Sequence, residues 1–155
     1  MTPYRAVDPF DWPALLTLIQ TEFAFMDGRI DPPSSMHALT AQSLAQQARS
    51  SEIWVMGAPL VACMVLTAKP HALYLGKLVV AARSRGQGLA RRMIAHAETR
   101  ARALGLPAIE LQTRVELNEN QATFAALGFV EVGRTAHPGF GRPTSITYRR
   151  KVQTA

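Results

Sequence analysis

The stretch that decides the fold reads Leu78-Val79-Val80-Ala81-Ala82-Arg83-Ser84-Arg85-Gly86-Gln87-Gly88-Leu89-Ala90. An apolar run passes into a turn with two glycines, and a helical pattern begins at once. Leu89, Met93, Ala97, Ala101 and Leu104 recur on one face, with Arg91, Arg92, Glu98 and Arg102 on the polar surface. The N–H groups of a first helical turn have no partners inside the helix. They lie at the positive end of its dipole and suit phosphate oxygens, and glycines let a ligand approach the backbone closely. A P-loop needs Lys-Ser/Thr after its second glycine, where Leu89-Ala90 stands. A dinucleotide fingerprint needs a third small residue where Arg91 stands. The pattern that remains is Arg-x-x-Gly-x-Ala, from Arg85 to Ala90.

Working outward, Ala72 to Val80 reads as a strand, with Gly76 marking a bulge or a close backbone approach. Before it, Glu52 to Met56 and Leu60 to Thr67 read as strands around Gly57-Ala58-Pro59. The spacing of Trp12, Leu15, Leu16, Ile19, Phe23 and Met26 predicts a helix capped by Asp11, and a shorter one is expected from Thr40 to Arg49. Tyr4 to Val7 is a short opening strand. Beyond the long helix, which Gly105 and Pro107 end, Ala108 to Thr113 is a strand. A short helix over Asn118 to Leu127, with Asn118 as its cap, and strands over Phe129 to Gly133 and Ser145 to Lys151 close the chain. The order is β-α-α-β-β-β-α-β-α-β-β. One strand–helix–strand crossover implies one parallel pairing in a mixed, mostly antiparallel central sheet with helices on both faces, an α/β (α+β) architecture.

The 155 residues fit a single domain over 1–155. Seventeen Lys and Arg against eleven Asp and Glu leave a net charge of +6, which suits an anionic ligand. The single cysteine, Cys63, excludes an intrachain disulfide framework, and the four histidines show no ligand spacing, so no metal is expected. No apolar run reaches the roughly 18 residues of a membrane span, and the first residues lack a signal-peptide layout. The expectation is a soluble, cytoplasmic protein that does not act at a membrane.

The Arg85–Ala90 turn resembles the coenzyme A pyrophosphate loop of the GCN5-related N-acetyltransferases, the GNAT family. A second stretch, Asn118-Glu119-Asn120-Gln121-Ala122-Thr123-Phe124-Ala125-Ala126-Leu127-Gly128-Phe129, resembles that family's asparagine-bearing helix ending in Leu-Gly-Phe. The resemblance implies a strand that splays from its neighbour and a V-shaped opening for acetyl-CoA. The pantetheine arm would pair with backbone groups of Leu78, Val79 and Val80. An N–H of Val79 or Val80 would face the thioester carbonyl as an oxyanion donor. The pyrophosphate would sit on Arg85, Gly86, Gln87, Gly88, Leu89 and Ala90, with Arg83 and Arg85 adding charge.

The chain departs from the family pattern twice. Many members carry an asparagine seven residues before an aromatic on the second helix. Counting back from Phe124 reaches Leu117, so Asn120, three residues on, is the candidate for the coenzyme arm. Many relatives also have tyrosine where Phe124 stands, placed to protonate the thiolate. Phe124 can pack against coenzyme or core but cannot donate a proton. Water, Tyr148, or departure of an unprotonated thiolate remains.

The strand before the loop holds no carboxylate, so Glu110 and Glu116 are the nearest acidic base candidates, beside a water chain. The loop Gly28-Arg29-Ile30-Asp31-Pro32-Pro33-Ser34-Ser35 has two readings. Arg29 and Asp31 bind an acceptor, or the segment is a proline-stiffened connector. Ala136 to Pro143 is a second loop that borders the acceptor side. The function expected is acetyl transfer to a primary amine of a small molecule or peptide. The alternative is an acyl-coenzyme A-binding sensor or interaction module with little turnover. A homodimer is compatible with the family, whereas nucleic acid is not expected, since Glu98 interrupts the helix arginines.

Overall fold

The structure, a computed structural model, describes residues 1–153. In chain order it holds β1 (Tyr4–Arg5), α1 (Trp12–Phe23), α2 (Ala41–Ser50), β2 (Glu52–Met56), β3 (Ala62–Ala68) and β4 (Leu73–Val80). Then follow α3 (Leu89–Ala103), β5 (Ala108–Arg114), α4 (Asn118–Ala126), β6 (Val130–Thr135) and β7 (Ser145–Lys151). The strands form one sheet in the order β1-β2-β3-β4-β5-β7-β6. Only β4 and β5, joined through α3, run parallel; every other neighbouring pair is antiparallel. The mixed, mostly antiparallel sheet expected from the pattern is what forms.

Local chemistry sets the helix ends. The Asp11 carboxylate accepts from the Ala14 N–H at the start of α1, and the helix tightens into a 3-10 turn over Ala24–Met26. Thr40 and Ser43 form a reciprocal capping box on α2, each side chain accepting from the other's backbone N–H. α3 and α4 both end on a left-handed glycine, Gly105 (φ 71) and Gly128 (φ 88). Leu106 N–H then reaches back to Ala101 C=O, and Phe129 N–H to Phe124 C=O, both at about 3 Å (2.9 and 3.0 Å). This is the Schellman closure, and its usual apolar contact is here the Phe124–Phe129 ring pair at 6.1 Å. Leu-Gly-Phe therefore has a structural reason of its own. The α4 cap differs from expectation: the cap position is Leu117, which is buried, and no side chain caps the helix. That anchor starts the helix one residue early, so Asn118 lies inside it.

Helices cover both faces of the sheet. On one face α3 sits over β2, where Arg100 donates twice to Glu52, both at 2.8 Å, and His96 stacks edgewise on Trp54. Ile53 and Val55, which alternate with those residues, are fully buried on the opposite face. Among the described residues no helix is long and apolar enough to cross a membrane.

Candidate active site

β4 and β5 pair only at Leu73↔Ile109 and Tyr74↔Glu110. Beyond that, β4 continues to Val80 and β5 to Arg114 with no ladder between them. Their facing edges therefore leave backbone groups free for a ligand. The splay has a local cause. On β3, Cys63 and Val65 share a face, yet their partners on β4, Val79 and Gly76, lie three residues apart. The extra residue is a bulge, which bends a strand and sharpens its twist. Gly76 borders it, but the left-handed residue is Lys77 (φ 49), not the glycine. A Cβ added at Gly76 would come to 3.4 Å from the Tyr74 ring, an ordinary van der Waals contact, so crowding does not require a glycine there.

At the end of β4 the chain makes a 3-10 turn over Ala82–Ser84 and enters α3 through Gly86 (φ 78) and Gly88 (φ 76). Gly88 is the cap residue, and α3 has no side-chain cap and no acidic residue in its first turn. Arg91 and Arg92 lie there instead, against the usual sign preference at a helix N-terminus. Beside this turn is a cavity of about 330 Å³. Val80, Arg85, Gly86, Gly88, Leu89 and Ala90 line it, with Ser84, Arg91 and Thr123, Ala126 and Leu127 of α4. Of the residues expected to hold the coenzyme, those six meet there, and Leu78, Val79, Arg83 and Gln87 do not line it. Val79 is buried in the core, and Arg83 donates to Leu60 C=O at 3.2 Å. The Arg85 guanidinium donates to Glu22 at 3.0 Å and to Val80 C=O at 3.4 Å, which fixes it at the cavity edge.

Farther back along β4 lies a second cavity, of about 250 Å³. Tyr74 and Lys77 of β4 line it with Gln112, Thr113 and Arg114 of β5, Asn120 of α4 and His137. Phe23, Met26 and Ile30 supply an apolar side. Asn120 donates to Thr113 Oγ1 at 3.4 Å, which holds its amide at the wall. Lys77 donates to Gln47 Oε1 at 3.2 Å, and burial pulls its ammonium below the usual lysine range. Burial first, and then the Glu110 charge, pushes the Tyr74 phenol up. Arg114 donates to the carbonyls of Pro32 and Pro33 at 2.7 and 3.2 Å and clamps the proline loop over the cavity.

The remaining predicted residues lie elsewhere. Arg29 pairs with Glu119 at 2.7 Å, and Asp31 with Arg142 at 3.4 Å. Neither lines the cavity, although Ile30 between them does. Glu110 is held by Arg149 at 2.6 Å. Glu116 accepts from Asp31 N–H at 3.0 Å through Oε2, while its Oε1 is buried without a partner. Phe124 packs against Phe129 and Tyr148, and neither Phe124 nor Tyr148 lines either cavity. Burial, followed by the Glu131 charge, raises the Tyr148 phenol. His37 is exposed and bonded to Asp27. The sequence pattern did not point to Tyr74, Lys77, Gln112 or Thr113, whereas the expected bordering loop, Ala136 to Pro143, reaches the cavity through His137. One signal was available: Lys77 is the sole charge in the apolar run Leu73 to Val80.

Residues 12–129 match the family model described as Acetyltransferase (GNAT) family. Solved structures share the fold. A GNAT-family acetyltransferase from Staphylococcus aureus Mu50 is 14% identical at TM-score 0.75, covering 98% of this chain and 99% of its own. The ribosomal-protein-S18-alanine N-acetyltransferase of Escherichia coli is 17% identical at TM-score 0.69, covering 99% of this chain and 96% of its own. A GNAT-family acetyltransferase from Elizabethkingia anophelis, solved with acetyl-CoA bound, is 13% identical at TM-score 0.68, covering 97% of both chains. At such identities the likeness establishes the fold. No curated protein matches the chain by sequence.

Proposed function

The chain belongs to the acetyltransferase (GNAT) family, and from that premise we propose that it is an N-acetyltransferase over residues 1–155. It moves acetyl from acetyl-CoA to a primary amine by direct attack in a ternary complex. The observation that carries this reading is the unladdered gap between β4 and β5, with a cavity at each end of the exposed edge. β4 lines one cavity with Val80 and the other with Tyr74 and Lys77.

The donor side fits the coenzyme. A Cβ added at Gly86 or Gly88 would meet nothing within 4 Å, so the space above the turn is open to phosphate oxygens. The first-turn N–H groups of α3 receive them, and Arg85 and Arg91 neutralise the charge. The edge from Leu78 to Val80 pairs with the pantetheine arm. A backbone N–H of Val79 or Val80 then donates to the oxyanion that develops on the acetyl carbonyl oxygen as the amine attacks the carbon. One such donor is worth about 2.7–4 kcal/mol of barrier in other enzymes. Asn120, the candidate for the coenzyme arm, lines the second cavity, at the far end of the same edge.

The acceptor amine attacks from the second cavity and must shed a proton. No carboxylate lines that cavity, and Glu110 is tied to Arg149, so water is the first proton acceptor. The leaving thiolate departs without a phenol from Phe124 or Tyr148 beside it. A thiol ionises near pH 8.5, so departure as the anion is tolerable.

The same lack of dedicated acid and base favours a second reading, an acyl-coenzyme A sensor with little turnover. Calorimetry with acetyl-CoA followed by thiol release across an amine panel separates the two. Binding with release expected from at least one amine supports the transferase. Binding with no release from any amine supports the sensor, and no binding removes both.

A further inference from the structure

The second cavity is cationic and holds no acid. Its cations are Lys77 and Arg114, beside the His137 imidazole, and none of its lining residues is Asp or Glu. We propose that the acceptor is a small amine that also bears a carboxylate, and that Lys77 seats that carboxylate. This rests on the N-acetyltransferase reading above and names the substrate class of that site.

The surrounding charges lead there. Lys77 is half-buried, and among the described residues the one hydrogen-bond partner of its ammonium is the neutral Gln47 amide. Among the described residues no carboxylate lies within ion-pair distance of its ammonium. Of the acidic groups around the cavity, Glu110 is paired with Arg149, Glu119 with Arg29 and Asp31 with Arg142; Glu116, which accepts from the Asp31 N–H and keeps Oε1 unpartnered, does not line the cavity. A partly desolvated ammonium with no counter-ion is costly unless a partner arrives. The bulge that places Lys77 also holds it in the left-handed region, at φ 49, where a residue with a Cβ is disfavoured. Arg114 is anchored by two of its five N–H donors to the Pro32 and Pro33 carbonyls, and His137 is bonded through Nδ1 to Thr144, whereas the Lys77 ammonium has one bond, to a neutral amide, and is the least committed of the cavity's cations. A polycationic amine would instead bring like charge against Lys77 and Arg114. The volume, about 250 Å³, falls below the roughly 300–1,000 Å³ of pockets for drug-sized ligands. It suits a molecule the size of a single amino acid.

The test uses purified protein with saturating acetyl-CoA for kinetics and with coenzyme A for calorimetric binding. The panel is a set of free amino acids, their α-amides, the corresponding decarboxylated amines, and spermidine as a polycation. The expected result is that at least one free amino acid is preferred over its amide and decarboxylated amine by roughly tenfold to a hundredfold, the span of one charged hydrogen bond. Lys77→Met should erase that preference and leave acetyl-CoA affinity unchanged, while Lys77→Arg should retain part of it. Both variants keep a Cβ at the same left-handed φ, so backbone strain is common to them.

Carboxylate-dependent binding without thiol release upholds the Lys77 site and overturns the transferase reading. Equal or faster release from a decarboxylated amine or spermidine overturns the Lys77 site and upholds the transferase. The wild-type comparison decides the matter even if both variants unfold. Absence of amino-acid binding at the highest soluble concentration also overturns the proposal.

Discussion

The two cavities beside β4 are built in opposite ways. The donor cavity takes most of its wall from consecutive residues, Val80 to Arg91, in one strand–turn–helix passage. The acceptor cavity draws on residues from Phe23 to Ser145, brought together from helices, both splayed strands and two loops. The first is set by local backbone: two left-handed glycines and a helix start without acid or side-chain cap. The second depends on ion pairs and carbonyl clamps between segments distant in sequence. A site made of backbone tolerates side-chain change but not a change of φ or of charge at the helix start. A site made of side chains loses function piece by piece.

The largest expected effect is therefore on the donor side. Gly88→Glu adds a Cβ at φ 76, at about 1–2 kcal/mol for an ordinary residue, and sets a negative charge against the phosphates. Acetyl-CoA affinity by calorimetry should fall roughly a hundredfold or more. Gly88→Ala carries the strain without the charge and should fall less. Equal losses in the two variants would show that backbone conformation alone matters there.

On the acceptor side, Arg114→Ala removes the clamp on Pro32 and Pro33. Each charged hydrogen bond is worth about 1.5–3 kcal/mol. Acceptor kcat/KM should drop about tenfold or more, with coenzyme affinity unchanged. If coenzyme affinity falls by the same factor, the two cavities are not separable.

α3 carries the donor turn and is pinned to β2 through Glu52 and Arg100. The Arg100 hydrogen bond, the largest influence, holds the Glu52 carboxyl below its ordinary range. Its folded value lies under its unfolded one, so this stability is present above the unfolded value near 4.5 and is lost as pH falls through the folded value. Glu52→Ala should cost about 2 kcal/mol at neutral pH and flatten the acid limb of the stability curve. An unchanged acid limb in urea melts across pH would rule out Glu52 as its source.

Smaller effects follow in the proline loop and on α4. Arg29 and Asp31 are partly exposed and paired, so Arg29→Ala and Asp31→Ala should each cost below about 1 kcal/mol in thermal melts. Acceptor KM should stay near wild type; a rise above about tenfold would return both charges to the recognition surface. Phe124→Tyr is expected to fold and to leave turnover unchanged or raised. A loss beyond about tenfold, some 1.4 kcal/mol of barrier, with coenzyme affinity retained, would assign Phe124 a role its packing does not suggest.

The legibility of each part follows from its range in sequence. The strand, the glycine turn and the amphipathic face of α3 sit within a few turns of chain, so their pattern reports their structure. The bulge was signalled by Gly76, but the left-handed position fell to the next residue, Lys77. Asn118 looked like a cap by composition, and the buried Leu117 anchor moved the helix start. Arg29 and Asp31 stood in the sequence as acceptor-binding candidates or parts of a connector; their partners, Glu119 and Arg142, are 90 and 111 residues away.

By itself the sequence determined the element order, the single parallel crossover, the glycine turn that leads into α3 and the family. Period, turn chemistry and helix-end chemistry act over neighbouring residues. Tertiary structure alone decided where the sheet opens and which charges are already paired. It also decided that Lys77, rather than Arg29 or Asp31, lines the second cavity, with no carboxylate at ion-pair distance among the described residues. The reason is that burial and ion pairing depend on distances between segments, and those exist only once the sheet has closed β4 against β3 and left it open to β5.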